Sequence, residues 1–499
     1  MSNNEKLNSL FPLPSPPPTD LCPKRLPGTH FEFAKTLQEV LKDNHERWHI
    51  FFNTDKFHNH IAHRALALYA LGASSDLIRG LFQLDGPIQR ASFAPPEAIT
   101  ATNFNAHLGD EKFYEAYRSY FIDELAEKGA TAALEEYVFS DEHNFNLDTQ
   151  GGEQHQFLFR FFDGVLHPMI HVGYGLEFGL PGMVAEGLAM MTCHDGDLNS
   201  GSLIPSTWFS KHLSESVPAF STTLLLNKFT DAKAKDQAPK NGVHALDILA
   251  RMLKDERLAP AAPIEFLTQY SINLAAHGTE ISKYAEQWTI DLTQEGEIDR
   301  KVEELVWATA VLYGVGGWDK VRGFEADFFL MHLVTSCLFL PSIVPYLSSN
   351  SQVKFLRGYF VSALAWWVTR GRPALDLKEF FASTTTSPKP AGAEIPLDTP
   401  IPNVSPAHAH RPNPWFSLLQ SSMVHQDDHL VKIQRAFAHS EQLYGKCTAG
   451  QFGFTELEGA EHLDGSLFIR AAGLTADKMG WAREGEKPQM WGFEGFAFL

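Results

Sequence analysis

The residues of this chain best suited to chemistry are histidines, and they come in groups. The stretch 57–74, FHNHIAHRALALYALGAS, places His58, His60 and His63 ahead of an apolar run. At roughly 100° per residue, His60 and His63 fall about 60° apart on one helix face, while His58 points away from both. Two imidazoles on one face can share a metal ion. Ala65, Leu66, Leu68, Tyr69 and Leu71 make the run apolar enough for a core helix, with neither Gly nor Pro before Gly72. Histidines on buried helices are more often hydrogen-bonded than ligated, so this segment by itself leaves both readings open.

Two further segments repeat the pattern. In HPMIHVGYGLEFG, Pro168 suits the first position of a helix, so His167 lies just outside it and His171 one turn in. Gly173, Gly175 and Gly179 would weaken a regular helix beyond that point and let a backbone approach a ligand. In ADFFLMHLVTSCLFLP, His332 sits among Phe, Leu, Met and Val, where an imidazole needs a metal, a carboxylate or a carbonyl as partner. His60, His63, His167, His171 and His332 thus come from three apolar helical segments, and facing helices build metal sites from such side chains. Imidazole suits zinc, copper, iron or nickel. Iron fits oxygen chemistry with open positions, and zinc a structural or hydrolytic role. A further cluster, HQDDH, sets His425 and His429 around Asp427 and Asp428. It reads either as a binding element or as a solvated helix start whose carboxylates favour the N-terminal dipole.

The elements that must position these groups are mostly helical. Apolar spacing predicts helices over Thr29–Trp48, the histidine run, 75–90, Asn105–Lys128 and Ala130–Phe139. Others follow over Ala245–Leu253, Pro263–Ala276, Ile298–Tyr313 and Lys354–Arg370, with little alternation that would demand strands. The fold expected is mainly α, a large single helical bundle-like array with a metal or substrate pocket between helices. Residues 1–28 form a Pro-rich, mobile arm and 29–499 one helical domain, with a surface excursion at 195–245 and a Pro-rich loop at about 383–414.

Composition narrows the function classes. The chain has 499 residues, 44% of them hydrophobic and 38 of them Phe, enough for a sizeable core able to hold a flat apolar ligand. A formal charge of −19 disfavours nucleic acid or an anionic membrane as partner. Cys22, Cys193, Cys337 and Cys447 form no CxxC pair, and with no basic-then-apolar leader this points to a reducing, cytoplasmic setting. The apolar runs Phe328–Leu347 and Tyr359–Val368 read as core helices. The first carries His332 and two prolines; the second falls short of the ~20 residues a bilayer needs.

Several familiar enzyme classes lack their signatures. No pair of ExxH motifs supports a carboxylate-bridged two-iron bundle. GYGLEFG has the wrong spacing for a dinucleotide fingerprint, and GxSxG and HExxH are absent.

In order, FHNHIAHRALALYALGAS, HPMIHVGYGLEFG, ADFFLMHLVTS, RGRP and HQDDHLVKIQRA resemble the fungal questin oxidase-like family over about residues 30 to 450. The resemblance implies an oxidoreductase that opens the central ring of anthraquinone-type polyketides in secondary metabolism. Such chemistry is described as a Baeyer–Villiger oxidation with dioxygen and NADPH, or as dioxygenase cleavage with non-haem iron(II). It implies that His60, His63, His167, His171 and His332 belong to the family's histidine motifs, though not all need bind metal. A lysine carrying carbon dioxide as a carbamate can add an oxygen ligand, and Lys354 is the candidate nearest His332 in sequence. His58 would either support the ligands from behind or be structural. The partners implied are an aromatic polyketide and dioxygen. The rival reading is a non-catalytic α-helical binding protein with structural zinc or no metal.

Overall fold

The computed structural model describes residues 3–146, 154–196, 203–209, 242–259, 266–392, 401–405, 409 and 412–496. Within them the chain is mainly α, and the strands named are one short antiparallel pair, Trp318–Asp319 with Gly323–Phe324. Much of the surface excursion expected at 195–245, and part of the Pro-rich loop expected at 383–414, lie outside the described residues.

The centre is built from long apolar helices. Phe157–Phe178 packs extensively against Pro181–Cys193, which also receives Tyr114–Tyr137. Phe328–Cys337 lies between Phe157–Phe178 and Leu430–Tyr444, and Ile61–Ala70 touches that same pair. These four helices come from distant parts of the chain, and their shared interior is where the histidines meet.

Local sequence explains several boundaries. Tyr114–Tyr137 runs through the point where two helices were expected, with the break marked by non-helical Gly129 (φ 77°). The glycines after His171 do not interrupt their helix. A Cβ on Gly173 would lie 2.4 Å from the Phe339 Cβ, and one on Gly175 2.8 Å from Val184, so small residues here let neighbouring helices close in. Gly179 (φ 68°) then ends the helix in the left-handed conformation.

The N-terminal arm is not a loose appendage. It carries a helix, Asn3–Leu10, and buries Phe11 and Cys22 completely. Phe11 packs edge-on to His45, and the backbone N–H of Ser15 donates to Phe178. Burial of a large apolar side chain outweighs the proline-rich composition there.

One stretch, Phe328–Tyr346, has the length and hydropathy of a membrane-crossing helix, yet 94% of its most apolar window is buried inside the protein. It is broken into Phe328–Cys337, Leu340–Ile343 and a final turn, as expected of core helices.

Candidate metal and substrate site

The first histidine group straddles a change of conformation. His58 bridges Phe51 in extended geometry, His60 is the residue just before the helix, and the helix proper is Ile61–Ala70. A helical wheel therefore places His58 wrongly. Its ring turns inward and stacks on His167 with centroids 3.8 Å apart and planes 7° from parallel.

His167 is positioned by strain. Asp163, Gly164, Val165 and Leu166 leave helical geometry, the last three with φ of 54°, 56° and 64°. Left-handed geometry is unfavourable for a β-branched valine, and such strain concentrates at functional sites. It turns the Gly164 carbonyl onto His167, whose Nδ1–H donates to it at 2.6 Å. Pro168 follows and the helix resumes, so the expected helix start after His167 holds.

His332 is fixed from its helix terminus. Asp327 accepts from the backbone N–H groups of Phe329 and Leu330, and Arg370 of the RGRP stretch donates to the other Asp327 oxygen at 2.9 Å. The ring's Nδ1–H then donates to the Phe328 carbonyl at 2.7 Å.

The three imidazoles share one design. His60 Nδ1 meets Asp428 at 2.9 Å, His167 Nδ1 meets Gly164 and His332 Nδ1 meets Phe328, so each Nδ1 carries its proton toward an acceptor. Each Nε2 is then left with a lone pair. Those of His60 and His167 face each other at 2.7 Å, and that of His332 has no partner among the described residues. The His332 ring centroid is 4.9 Å from that of His167. Two lone pairs so close repel unless a cation lies between them, which fits a metal ion. Nitrogen atoms of His58, His60 and His167 all lie within 4.8 Å of one another.

A second possible ion group is His60, Asp428 and His429. Asp428 bridges the two rings, 2.9 Å from His60 Nδ1 and 2.6 Å from His429 Nδ1. The groups share His60 through opposite nitrogens, so Asp428 suits the role of a carboxylate behind a ligating histidine. Burial and Lys432 press His429 toward neutrality, but Asp428 and Asp427 outweigh them and hold its pKa above the ordinary value. His429 Nε2 has no partner among the described residues, and its ring lies 5.1 Å from that of His332.

His63 and His171 are drawn elsewhere. His63 Nε2 lies 2.9 Å from His171 Nδ1, His171 Nε2 lies 2.7 Å from Glu186, and His45 meets the other oxygen of that carboxylate. The structure delivers His63 and His171 to each other, because a buried carboxylate on the neighbouring helix captures the chain. Burial would raise the Glu186 pKa, but the hydrogen bonds from His171 and His45 hold it well below the carboxylate range.

Lys354 does not reach the cluster. Its Nζ donates to Phe139 at 3.0 Å and sits 4.2 Å over the Phe209 ring. The lysine beside the histidines is Lys432, buried and lowered in pKa by that burial. In HQDDH the roles divide. His425 has both ring nitrogens on backbone, Met479 O and Asp427 N–H, and Asp427 caps the helix start, while Asp428 and His429 turn inward. His194 was missed by sequence reading. Its Nε2 lies 3.0 Å from that of His58, and it follows an apolar helix that carries no other histidine.

Burial governs the electrostatics. His58, His63, His167 and His332 are held well below the ordinary imidazole pKa chiefly by desolvation. Desolvation, then Lys432, pushes His60 down to about 4, and desolvation, then Lys56, pushes His194 down to about 3. Neutral imidazoles are the ligating form.

Beside the cluster lies a cavity of about 290 Å³. His58, His60, His167 and His194 form one part of its lining, and Phe159, Phe328, Phe329, Tyr270 and Trp366 another. Lys56, Asp55, Asp163 and Asp195 contribute polar groups. Apolar walls with a few convergent polar groups are the ordinary character of a small-molecule site.

The chain is similar to known proteins over most of its length. The Questin oxidase-like family model matches residues 57–437. A Baeyer-Villiger oxidase of Pestalotiopsis microspora is 26% identical over 84% of this chain and 83% of its own length. The questin oxidase of Aspergillus fumigatus is 26% identical over 92% of this chain and 91% of its own. The oxidoreductase AflY of Aspergillus parasiticus is 25% identical over 93% and 83%. The chain belongs to the questin oxidase-like family.

Proposed function

We propose that this chain is an oxygenase that opens the central ring of an anthraquinone-type polyketide with dioxygen, using non-haem iron(II) held by His60, His167 and His332 and supported by His58. The observation that carries the ligand set is the shared polarity of the three rings, each Nδ1 on an acceptor and each Nε2 left for an ion. The family, and relatives named as questin and Baeyer-Villiger oxidases, support the substrate class and the reaction. Iron(II), when bound, would supply redox chemistry toward dioxygen beside the ring.

The chain's own residues do the rest. Phe159, Phe328 and Phe329 exclude water from one side of the cavity and offer apolar surface to a flat ring system. Asp428 orients His60 by accepting its Nδ1 proton, and Gly164 does the same for His167. His58 and His194 place neutral imidazoles at the cavity wall; they pair through their Nε2 atoms at 3.0 Å, so the ring that donates in that pair keeps its Nδ1 lone pair to accept a phenol hydrogen bond. Inserting one oxygen atom and reducing the other to water needs two electrons, for which NADPH is the proposed source. The free cysteines suit a cytoplasmic site of action.

The test is elemental analysis followed by turnover. Purified protein reconstituted with iron(II) should hold about one equivalent per chain and convert questin or a related anthraquinone under air. Tightly held zinc with no turnover would instead favour the non-catalytic scaffold.

A further inference from the structure

The break ahead of His167 sets three successive residues, Gly164, Val165 and Leu166, at positive φ. Among the described residues with positive φ, Val165 alone has a β-branched side chain. Two heavy atoms on Cβ make that geometry least favourable for such a residue, whereas glycine meets it without steric cost. The three positions differ in their surroundings. Gly164 has no space for a Cβ, and Leu166 is fully buried, so core packing offsets its strain. Val165 is only half-buried, and it lines the cavity where Leu166 does not. Packing therefore accounts for the leucine better than for the valine, and strain of this kind persists where a side chain is needed at a site.

Neighbours fix where in the cavity Val165 stands. A Cβ on Gly164 would fall 2.2 Å and 3.0 Å from the Cε1 atoms of His194 and His58, and His167 follows Val165 by two positions. All of these residues line the cavity, so Val165 belongs to its histidine end, and Phe328, Phe329 and Trp366 form the aromatic part. An anthraquinone opened at its central ring must turn an edge of that ring toward the histidines. That edge bears a carbonyl, and the ring positions flanking the carbonyl reach the histidine end with it.

We propose that Val165 is a specificity-determining residue whose isopropyl group limits the bulk allowed beside the inward-facing carbonyl. This rests on the reading above that the cavity takes an anthraquinone-type ring system. The substrates selected are quinones with at least one carbonyl edge free of large substituents, while groups on the outer rim are tolerated.

The test uses two neutral isomers, 1,4-dimethylanthraquinone, with a methyl beside each carbonyl, and 2,3-dimethylanthraquinone, with both methyls on the outer rim. Each is titrated into iron(II)-loaded protein under nitrogen and followed by quenching of tryptophan fluorescence. The wild type should bind the 2,3-isomer about tenfold more tightly, the effect of one methyl group that does not fit. Val165→Ala removes both γ-methyl groups and keeps a Cβ, and it should narrow that ratio to within about threefold. Val165→Gly should do the same, and both variants should keep iron and melt within about 5 °C of the wild type. An unchanged ratio in Val165→Ala overturns the proposal, as does a ratio that narrows only with glycine, which traces the effect to the backbone. Loss of iron from Val165→Ala would show that the residue acts through His167, and a larger fall in melting temperature that it serves packing; either result overturns the proposal. Equal binding of the two isomers to the wild type overturns it without any variant and leaves the quinone reading standing. If the wild type binds neither isomer, the quinone reading itself fails and takes this one with it.

Discussion

His60 and His167 meet through their Nε2 atoms at 2.7 Å although 107 positions separate them in the chain. Each has given its Nδ1 proton to an acceptor behind it, so the contact is between two lone pairs. A metal ion held as proposed would relieve that repulsion and would also engage His332, whose Nε2 has no partner among the described residues. His60→Ala, His167→Ala and His332→Ala should each keep their helical circular dichroism and lose most bound iron. His63→Ala should keep its iron, since His63 pairs with His171. Retention of one iron per chain in all three cluster variants would refute the ligand assignment.

Gly164 has no room for a side chain. A Cβ there would lie 2.2 Å from His194 Cε1 and 3.0 Å from His58 Cε1, and its φ of +54° is unfavourable for alanine. Gly164→Ala should cost on the order of 1–3 kcal/mol in stability from the backbone alone. It should also weaken iron binding, because the Gly164 carbonyl orients His167. Equilibrium unfolding and an iron titration measure the two effects; unchanged iron affinity would show that the strained turn does not position the ligand.

Glu186 is a buried carboxylate between two histidines, with His171 at 2.7 Å on one oxygen and His45 on the other. A charge so placed requires a proton shared among its partners. Glu186→Leu should cost about 3–5 kcal/mol, because it strands two buried imidazoles, and Glu186→Gln less. Both should retain iron, since Glu186 is hydrogen-bonded to His171 and His45 and to none of the proposed ligands. Loss of iron in the glutamine variant would move this chain of groups into the metal site.

How much of this is legible without coordinates depends on which interaction is local. The helix start after His167 follows from one proline, and the apolar helix around His332 from its side chains alone. The division of the five histidines does not follow, because it depends on a carboxylate 15 residues after His171 and an aspartate 368 residues after His60. Spacing reports which side chains share a face, not what the opposite helix presents to them. His58 was misdirected because helical geometry begins only at Ile61. Glu186, alone in the apolar run PGMVAEGLAMMTC, was the readable signal for a buried partner.

The buried neutral histidines set the acid limit of the fold. Burial lowers His49 and His439 to about 4, outside the cluster, as it does His60 to about 4 and His194 to about 3 within it. All are depressed from an ordinary value of 6.5, so both folded and unfolded states are neutral above that pH. As pH falls below it, the unfolded chain binds protons that the folded chain refuses until about pH 4. Each group then removes roughly 3 kcal/mol of stability. Asp85 works the other way: burial raises it to about 6, so the folded chain takes up that proton first and regains about 3 kcal/mol. The histidines outnumber it, so on balance stability falls as pH drops through this range. Metal-free protein should therefore lose stability from pH 6.5 to 4, read as an earlier unfolding transition in denaturant titrations. Iron(II) should move that loss to lower pH, because ligation competes with protonation of His60. Stability constant across this range would contradict the burial of these imidazoles in neutral form.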